Sequence, residues 1–463
     1  MIELRFDRLA AVTGGTLYNT EGASDTFSGV TIDSRADCGG KLFVALRGPR
    51  YDGHDYITAA VDRGASGIVA ELNYSGLQRI PGCVPVVAVG NSHEAMLSLA
   101  SNYRATSRAR FVAITGSNGK TTSKELTYLL LQVVESNVYR SPGNLNNLFG
   151  VPLALFGVPS DAVVAVLELG ISTKSEMPRL AEIVRPQLIA ITNVGPSHLE
   201  SLASVEDVAR AKLQLVNKAD HDVPVIVNAD DPILVHETRR LRKNFITFGF
   251  DTQADFHPDN VETLESGATL VTIENNRFHL QLPGRHQVSN LLVAYAICRT
   301  LGYSFYEIDT ENITLSTAPM RGQRMTLREI DFVVDCYNAN PPSMQAGLEA
   351  FFASKSSGRR VLILGDMLEL GPEAVKYHRE VGEMLAGYEF DLAVLVGPLS
   401  VSIADAARGA GIESNKIQHF DSATECAEVI KENLQSNDLV YLKASRGVGL
   451  EVVLDQFRDE EVS

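Results

Sequence analysis

One stretch constrains the fold more than any other: Phe111-Val112-Ala113-Ile114-Thr115-Gly116-Ser117-Asn118-Gly119-Lys120-Thr121-Thr122. Its first half is an unbroken run of apolar and β-branched residues, the pattern of a strand buried on both faces, as in a parallel sheet. Glycines follow at once, and after them a stretch of helical character. A strand that turns through glycines into a helix points backbone N–H groups inward at the positive end of a helix dipole. Such a turn holds anions, and this context is that of a phosphate-binding loop. Gly116, Ser117, Asn118, Gly119, Lys120, Thr121 and Thr122 are therefore expected around the phosphates of ATP. Lys120 would reach the β- and γ-phosphates, and the Thr121 hydroxyl would sit on Mg2+. Only Ser117 and Asn118 separate the glycines, where the common loop has about four residues. That short spacing points away from generic kinases and GTPases. The competing reading, a glycine-rich turn with a chance lysine, requires strand, helix and Gly-Lys-Thr-Thr run to coincide.

The same continuous apolar pattern recurs at Ala162–Leu167, Leu188–Thr192 and Val225–Val227, so the central part of the chain is expected to be a doubly wound α/β unit with a parallel sheet. Further runs precede it, at Lys41–Leu46 and Val84–Val89. Others follow it, at Phe332–Val334, Val361–Leu364, Leu392–Val396 and Leu439–Leu442. Ser92 is expected to cap the helix after Gly90-Asn91, with Leu99 and Tyr103 one turn apart. A chain of 463 residues is too long for one core. The expected division is three α/β units, residues 1–107, 108–318 and 319–463, with the polar Ala105–Arg108 as the first linker and Ala318-Pro319 near the second boundary.

The charge balance narrows the partners. Asp and Glu total 57 against 41 Lys and Arg, a formal net charge of −16, which suits solubility and disfavours a nucleic-acid backbone. Cys38, Cys83, Cys298, Cys336 and Cys426 form no C-x-x-C pair, so neither a zinc site nor a disulfide framework is expected. The N-terminus lacks the apolar core of a signal peptide, and no apolar run reaches the ~18 residues of a membrane span. A cytoplasmic location is expected.

A helix beginning near residue 204 carries an anomaly. Ser204-Val205-Glu206-Asp207 has the form of a capping box, and Val205, Val208, Ala209, Leu215 and Val216 form the apolar face that follows. Lys212 falls on that face. Burial lowers a lysine pKa and leaves a neutral amine, able to act as a nucleophile or to take up carbon dioxide as a metal-binding carbamate. The alternative is a snorkelling ammonium that reaches solvent past its neighbours. Glu168 ends the run that begins at Ala162, where the crevice of a parallel sheet opens, and is a natural magnesium ligand beside Thr121. His198 lies just past another strand end; it is either an additional ligand or an ordinary loop histidine.

Taken together, these residues resemble the Mur ligases of peptidoglycan synthesis over nearly the whole chain. Thr115–Thr122 is similar to the family's short phosphate loop, and Glu168, His198 and Lys212 to its magnesium site, where the family lysine is carbamylated. Asp33-Ser34-Arg35, Leu42–Gly48 and Tyr51–Asp55 resemble the region that binds the UDP substrate, with Ser34 and Arg35 as contacts. Gly143-Asn144-Leu145-Asn146-Asn147 resembles the loop that meets the muropeptide, through Asn144, Asn146 and Asn147. Gly284–Asn290 resembles an adenine-side segment; Gln287 departs from the usual asparagine, so only Asn290 carries over. Arg324 resembles the arginine that reaches the phosphates from the third domain, with Arg321 the alternative. Asp335 precedes Tyr337–Pro341 on the ribose side. Lys443-Ala444-Ser445-Arg446-Gly447 resembles the closing loop, with Ala444 where glycine is commoner.

Leu364–Gly371, followed by His378, points to the branch that adds D-alanyl-D-alanine to UDP-N-acetylmuramoyl-tripeptide, and the Asp-Asn-Pro-Arg motif of the ligase adding the third peptide residue is absent. The resemblance implies a three-domain architecture, with a Rossmann-like third domain, and a monomer. It also implies an ATP-dependent amide ligase that works through an acyl phosphate with two magnesium ions. Lys120, His198 and Lys212 would be its catalytic residues. Rivals are a folylpolyglutamate or cyanophycin-type synthetase, a phosphate-loop kinase or ATPase, and a nucleotide-sensing module.

Overall fold

The computed structural model describes residues 2–458 except 22–23, 49–50, 265–267, 282–283, 307–309, 311–313 and 316–318. The boundary expected at residue 318 lies outside the described residues.

The central sheet runs Ile246–Phe248, Val225–Asn228, Leu188–Ile191, Arg110–Thr115, Val164–Glu168, Val138–Arg140, and every neighbouring pair is parallel. Alternate residues feed two cores, which is why the apolar runs have no polar gaps. Phe111, Ala113, Ala165 and Leu167 face the helices Glu176–Val184 and Val205–Lys218. Val112, Ile114, Val164 and Val166 face Lys120–Val134 and Arg285–Thr300. The order in which strands are added reverses at Arg110–Thr115, so the carboxyl ends of this strand and its two neighbours, Val164–Glu168 and Leu188–Ile191, frame the crevice where such sheets bind ligands.

Two short edge strands, Val138–Arg140 and Ile246–Phe248, escape a search for apolar runs because both are only partly buried. So does a sheet formed by Asn260–Thr263, Thr269–Ile273, Asn276–Leu280 and Thr314–Leu315. Its strand Thr269–Ile273 alternates buried and half-buried residues, placing Val271 and Ile273 in the core shared with Arg285–Thr300.

The N-terminal unit has a five-stranded sheet ordered Thr16–Tyr18, Val86–Val89, Gly67–Glu71, Leu42–Val44, Val30–Thr31. Its helix Ser92–Thr106 shares a core with the central unit. Arg104 rivets the two: it donates to Val184 O (2.6 Å), Arg185 O (2.9 Å) and Gln187 Oε1 (3.0 Å), and its guanidinium lies 3.8 Å over the Phe111 ring. The expected cap of that helix shifts by one residue. Asn91, extended at φ −148°, accepts from Glu94 N at 2.8 Å, while Ser92 is already helical. Ser204 does cap its helix, accepting from Asp207 N at 3.1 Å.

The third unit stacks Gln323–Leu327, Ile330–Val334, Leu439–Lys443, Arg360–Gly365, Leu392–Val396 and Ile417–Phe420 in that order, antiparallel in the first pair and parallel thereafter. Its carboxyl ends face those of the central sheet across a cleft.

Candidate active site

The loop after Arg110–Thr115 needs its glycines. Gly116 has φ 149°, and a Cβ there would lie 1.9 Å from Thr192 Oγ1; Gly119 has φ 79°, and a Cβ there would lie 2.2 Å from Asn290 Oδ1. The loop is also tied to the next strand end, with Ser117 N donating to Asn193 O (2.9 Å) and Asn118 N to Asn193 Oδ1 (2.9 Å). Lys120 Nζ folds back onto Gly116 O (2.8 Å) and Ser117 O (3.2 Å). Burial lowers its pKa; Glu168 opposes that shift and Arg321 adds to it.

Glu168 is buried at the crevice. Its Oε2 accepts from Thr121 Oγ1 at 2.6 Å, and its Oε1 from Asn146 Nδ2 at 2.7 Å. Thus the phosphate loop, a strand end and the Asn144–Asn147 segment meet at one carboxylate. A second buried lysine supports them. Lys124 Nζ donates to Ser141 O (2.7 Å) and Gly143 O (2.8 Å), fixing the entry to that segment. Lys124 lies four residues after Lys120 on a buried helix face, so the criterion that singles out Lys212 would also have found it.

Lys212 is 1% exposed, and no hydrogen-bond or ion-pair partner meets its Nζ among the described residues. Burial, with Lys120 as a lesser cause, pulls its pKa well below the ordinary lysine value. With so little surface exposed, the side chain does not extend into bulk solvent as a snorkelling lysine does. His198 has a left-handed backbone (φ 55°) and faces Glu369 of the third unit, with Nδ1 2.6 Å from Oε2. Leu199 N donates to Glu369 O at 3.1 Å, and the His198 ring holds the Glu369 carboxyl below its usual range.

These walls enclose a cleft of about 570 Å³. Residues 117–122, Asn144, Asn146, Asn147, Glu168, His198, Asn290 and Asp335 line it, as do Glu369, Lys443 and Arg446. Asp335 accepts from Lys443 Nζ (2.6 Å) and Tyr441 OH (3.0 Å). Asn290 Oδ1 accepts from Ser123 Oγ (3.3 Å), against the phosphate loop. The arginine expectation needs correction. Arg321 lines the cleft with its guanidinium 4.0 Å over the Tyr337 ring, whereas Arg324 donates to Ser354 Oγ (2.9 Å) and lines a separate hollow of about 660 Å³. Arg324 sits within the strand Gln323–Leu327, whose pairing with Ile330–Val334 fixes which way its side chain leaves the sheet. Ser34 and Arg35 follow the strand Val30–Thr31, outside the cleft lining; Ser34 is buried, and exposed Arg35 pairs with Asp33 at 2.9 Å. Lys212 is not among the residues that line the cleft, but Lys120 is close enough for its charge to lower the Lys212 pKa further.

Comparison with known proteins accounts for this arrangement. Residues 26–104 match the family described as Mur ligase family, catalytic domain; 114–298 match the Mur ligase middle domain; and 320–446 match the Mur ligase, glutamate ligase domain. The UDP-N-acetylmuramoyl-tripeptide–D-alanyl-D-alanine ligase of Bacillus subtilis (strain 168) is 31% identical, with 100% of both chains covered. The crystal structure of MurF ligase from Thermotoga maritima in complex with ADP superposes with a TM-score of 0.78 at 29% identity, covering 93% of this chain and 96% of that one. Crystal structure I of MurF from Acinetobacter baumannii shares the fold at a TM-score of 0.86 and 24% identity, covering 99% of each chain. With all three family regions matched in order along the chain, and with this full-length relative, the chain belongs to the Mur ligase family.

Proposed function

We propose that the protein is an ATP-dependent ligase that joins D-alanyl-D-alanine to UDP-N-acetylmuramoyl-tripeptide, forming the UDP-muramoyl-pentapeptide precursor of peptidoglycan. The observation that carries the chemistry is the convergence of the Gly116–Thr122 loop, Glu168 and Asn146 in a cleft walled on its far side by the third unit. The substrate choice rests on the full-length likeness to ligases of that name.

A carboxylate is a poor acyl donor because oxide leaves badly; phosphorylation supplies the leaving group. In this reading the tripeptide carboxylate attacks the γ-phosphorus of ATP, and ADP departs. The loop N–H groups and Lys120 counter the charge on the transferring phosphoryl group. To do so, Lys120 exchanges the carbonyls of Gly116 and Ser117 for phosphate oxygens. Arg321, stacked on Tyr337, brings a further positive charge from the third unit. The amine of the dipeptide then attacks the acyl carbon and loses a proton, and the tetrahedral intermediate collapses to amide and inorganic phosphate. Closure between the central and third units keeps water from the mixed anhydride.

Thr121 and Glu168 form an oxygen donor pair that fits magnesium, and the unpartnered amine of Lys212 fits carbamylation, which would make it an anionic ligand and, with His198, a candidate holder of a second ion. Bound magnesium would neutralise phosphate charge. The reading includes a monomer in the cytoplasm with domains 1–107, 108–318 and 319–463; among the described residues no helix is long and apolar enough to cross a membrane.

The test is mass spectrometry of products from UDP-muramoyl tripeptide, ATP and D-alanyl-D-alanine, with phosphate release measured beside it. The pentapeptide product and dipeptide-dependent phosphate release are expected, and Lys120→Ala should abolish both. Dipeptide-independent release would instead mark an ATPase.

A further inference from the structure

The phosphate loop is gripped from two sides. On the central side, Thr192 Oγ1 donates to Asn118 O at 2.5 Å, Asn193 Nδ2 donates to the same oxygen at 3.2 Å, and Asn193 Oδ1 receives Asn118 N. The Asn118 side chain turns the other way and meets Asn340 of the third unit, 222 residues along the chain. The two carboxamides pair reciprocally: Asn118 Nδ2 donates to Asn340 Oδ1 at 3.2 Å, and Asn340 Nδ2 donates to Asn118 Oδ1 at 2.7 Å. Asn340 Oδ1 also accepts from Ser343 N at 3.0 Å, capping the helix Pro341–Ala353. That cap fixes which end of the Asn340 amide is oxygen, and so fixes the orientation Asn118 must adopt. Asn340 is 5% exposed, while Asn118 is partly buried at the edge of the cleft.

We propose that Asn340 is a positioning residue for the ligation: its carboxamide locks the tip of the phosphate loop to the third unit. Asn340 lies on the segment between the strand Ile330–Val334 and the capped helix, as do Asp335 and Tyr337, the latter beneath Arg321. A nucleotide that orders the loop thereby sets the register of the groups that the third unit presents to it. The inference rests on the reading of the loop as the ATP site and adds a coupling that capping alone does not supply.

The test exploits the two roles of Asn340. Serine caps helices about as well as asparagine, so Asn340→Ser keeps the cap while its side chain is too short to reach Asn118. Asn118→Ala removes the other half, and the double variant completes a cycle. Two quantities are read: affinity for a non-hydrolysable ATP analogue, and the distance between fluorophores on the central and third units, with melting curves as the folding control. Each single variant should bind the analogue about five- to tenfold more weakly, the scale of one ordinary hydrogen bond. Each should broaden the nucleotide-bound distance distribution, and the double variant should be no worse than either single. Additive losses, or an Asn340→Ser variant with wild-type affinity and distance, would overturn the proposal. A wild type that binds no ATP analogue rejects the loop reading and the lock together, whereas normal binding with an additive cycle rejects the lock alone.

Discussion

Replacing Lys212 with methionine should raise stability while removing activity. The Lys212 side chain is almost wholly buried, its amine meets no acceptor among the described residues, and burial pulls its pKa well below the ordinary lysine value. A polar group with little access to water and no hydrogen-bond partner costs up to about 1–3 kcal/mol. Methionine has nearly the same length, prefers the apolar face beside Val208, Leu215 and Val216, and adds little strain. In carbon-dioxide-free buffer, Lys212→Met should therefore stabilise the central unit by about 1–3 kcal/mol, or about 2–4 °C in melting temperature per kcal/mol for a unit of this size. The pH dependence has a defined sign. The native lysine releases its proton at lower pH than the unfolded one, so between the depressed value and the ordinary 10.5 the unfolded chain binds more protons. Wild-type stability should rise with pH through that window, and the advantage of methionine should shrink as the pH approaches 10.5. Calorimetry across pH, with ligation assayed in parallel, reads both effects. A methionine variant that melts below the wild type would refute the unpartnered amine, and one that ligates at the wild-type rate would remove Lys212 from the site.

The carbamate itself can be tested through Lys212→Ala, whose lost activity should be partly restored by short-chain carboxylic acids; failure of rescue in steady-state assays would argue against an anionic role. Gly119→Ala should weaken ATP-analogue binding more than about tenfold and cost about 1–3 kcal/mol, because φ 79° and the Asn290 oxygen 2.2 Å away leave no room for a methyl group. Calorimetric titration and melting measure the two losses. Lys124→Met should cut the ties to Ser141 O and Gly143 O and raise KM for the muropeptide more than it weakens ATP-analogue binding, if the Asn144–Asn147 segment meets that substrate. An unchanged KM would make Lys124 merely structural.

What could be read from the sequence was contiguous. The buried strands of the central sheet show as unbroken apolar runs, the phosphate loop as one turn between strand and helix, and Lys212 as a cation on an apolar stripe. Edge strands such as Val138–Arg140 were hidden because they are only partly buried and lack an unbroken apolar run. The opposition of Asn118 and Asn340 was illegible because 222 residues separate them, and Glu369 meets His198 only through the docking of the third unit on the central one. Telling Arg321 from Arg324 required the structure, since only Arg324 lies in the strand Gln323–Leu327, while Arg321 precedes it and stacks on Tyr337 in the cleft.

The central claim is that a peptide carboxylate accepts a phosphoryl group beside Lys120 before the amine attacks. It is tested most directly by following oxygen: UDP-muramoyl tripeptide labelled with oxygen-18 in its terminal carboxylate is ligated to D-alanyl-D-alanine, and the released phosphate is weighed by mass spectrometry. Passage through a mixed anhydride transfers one labelled oxygen to phosphate in each turnover. Unlabelled phosphate accompanying the amide product would contradict the account.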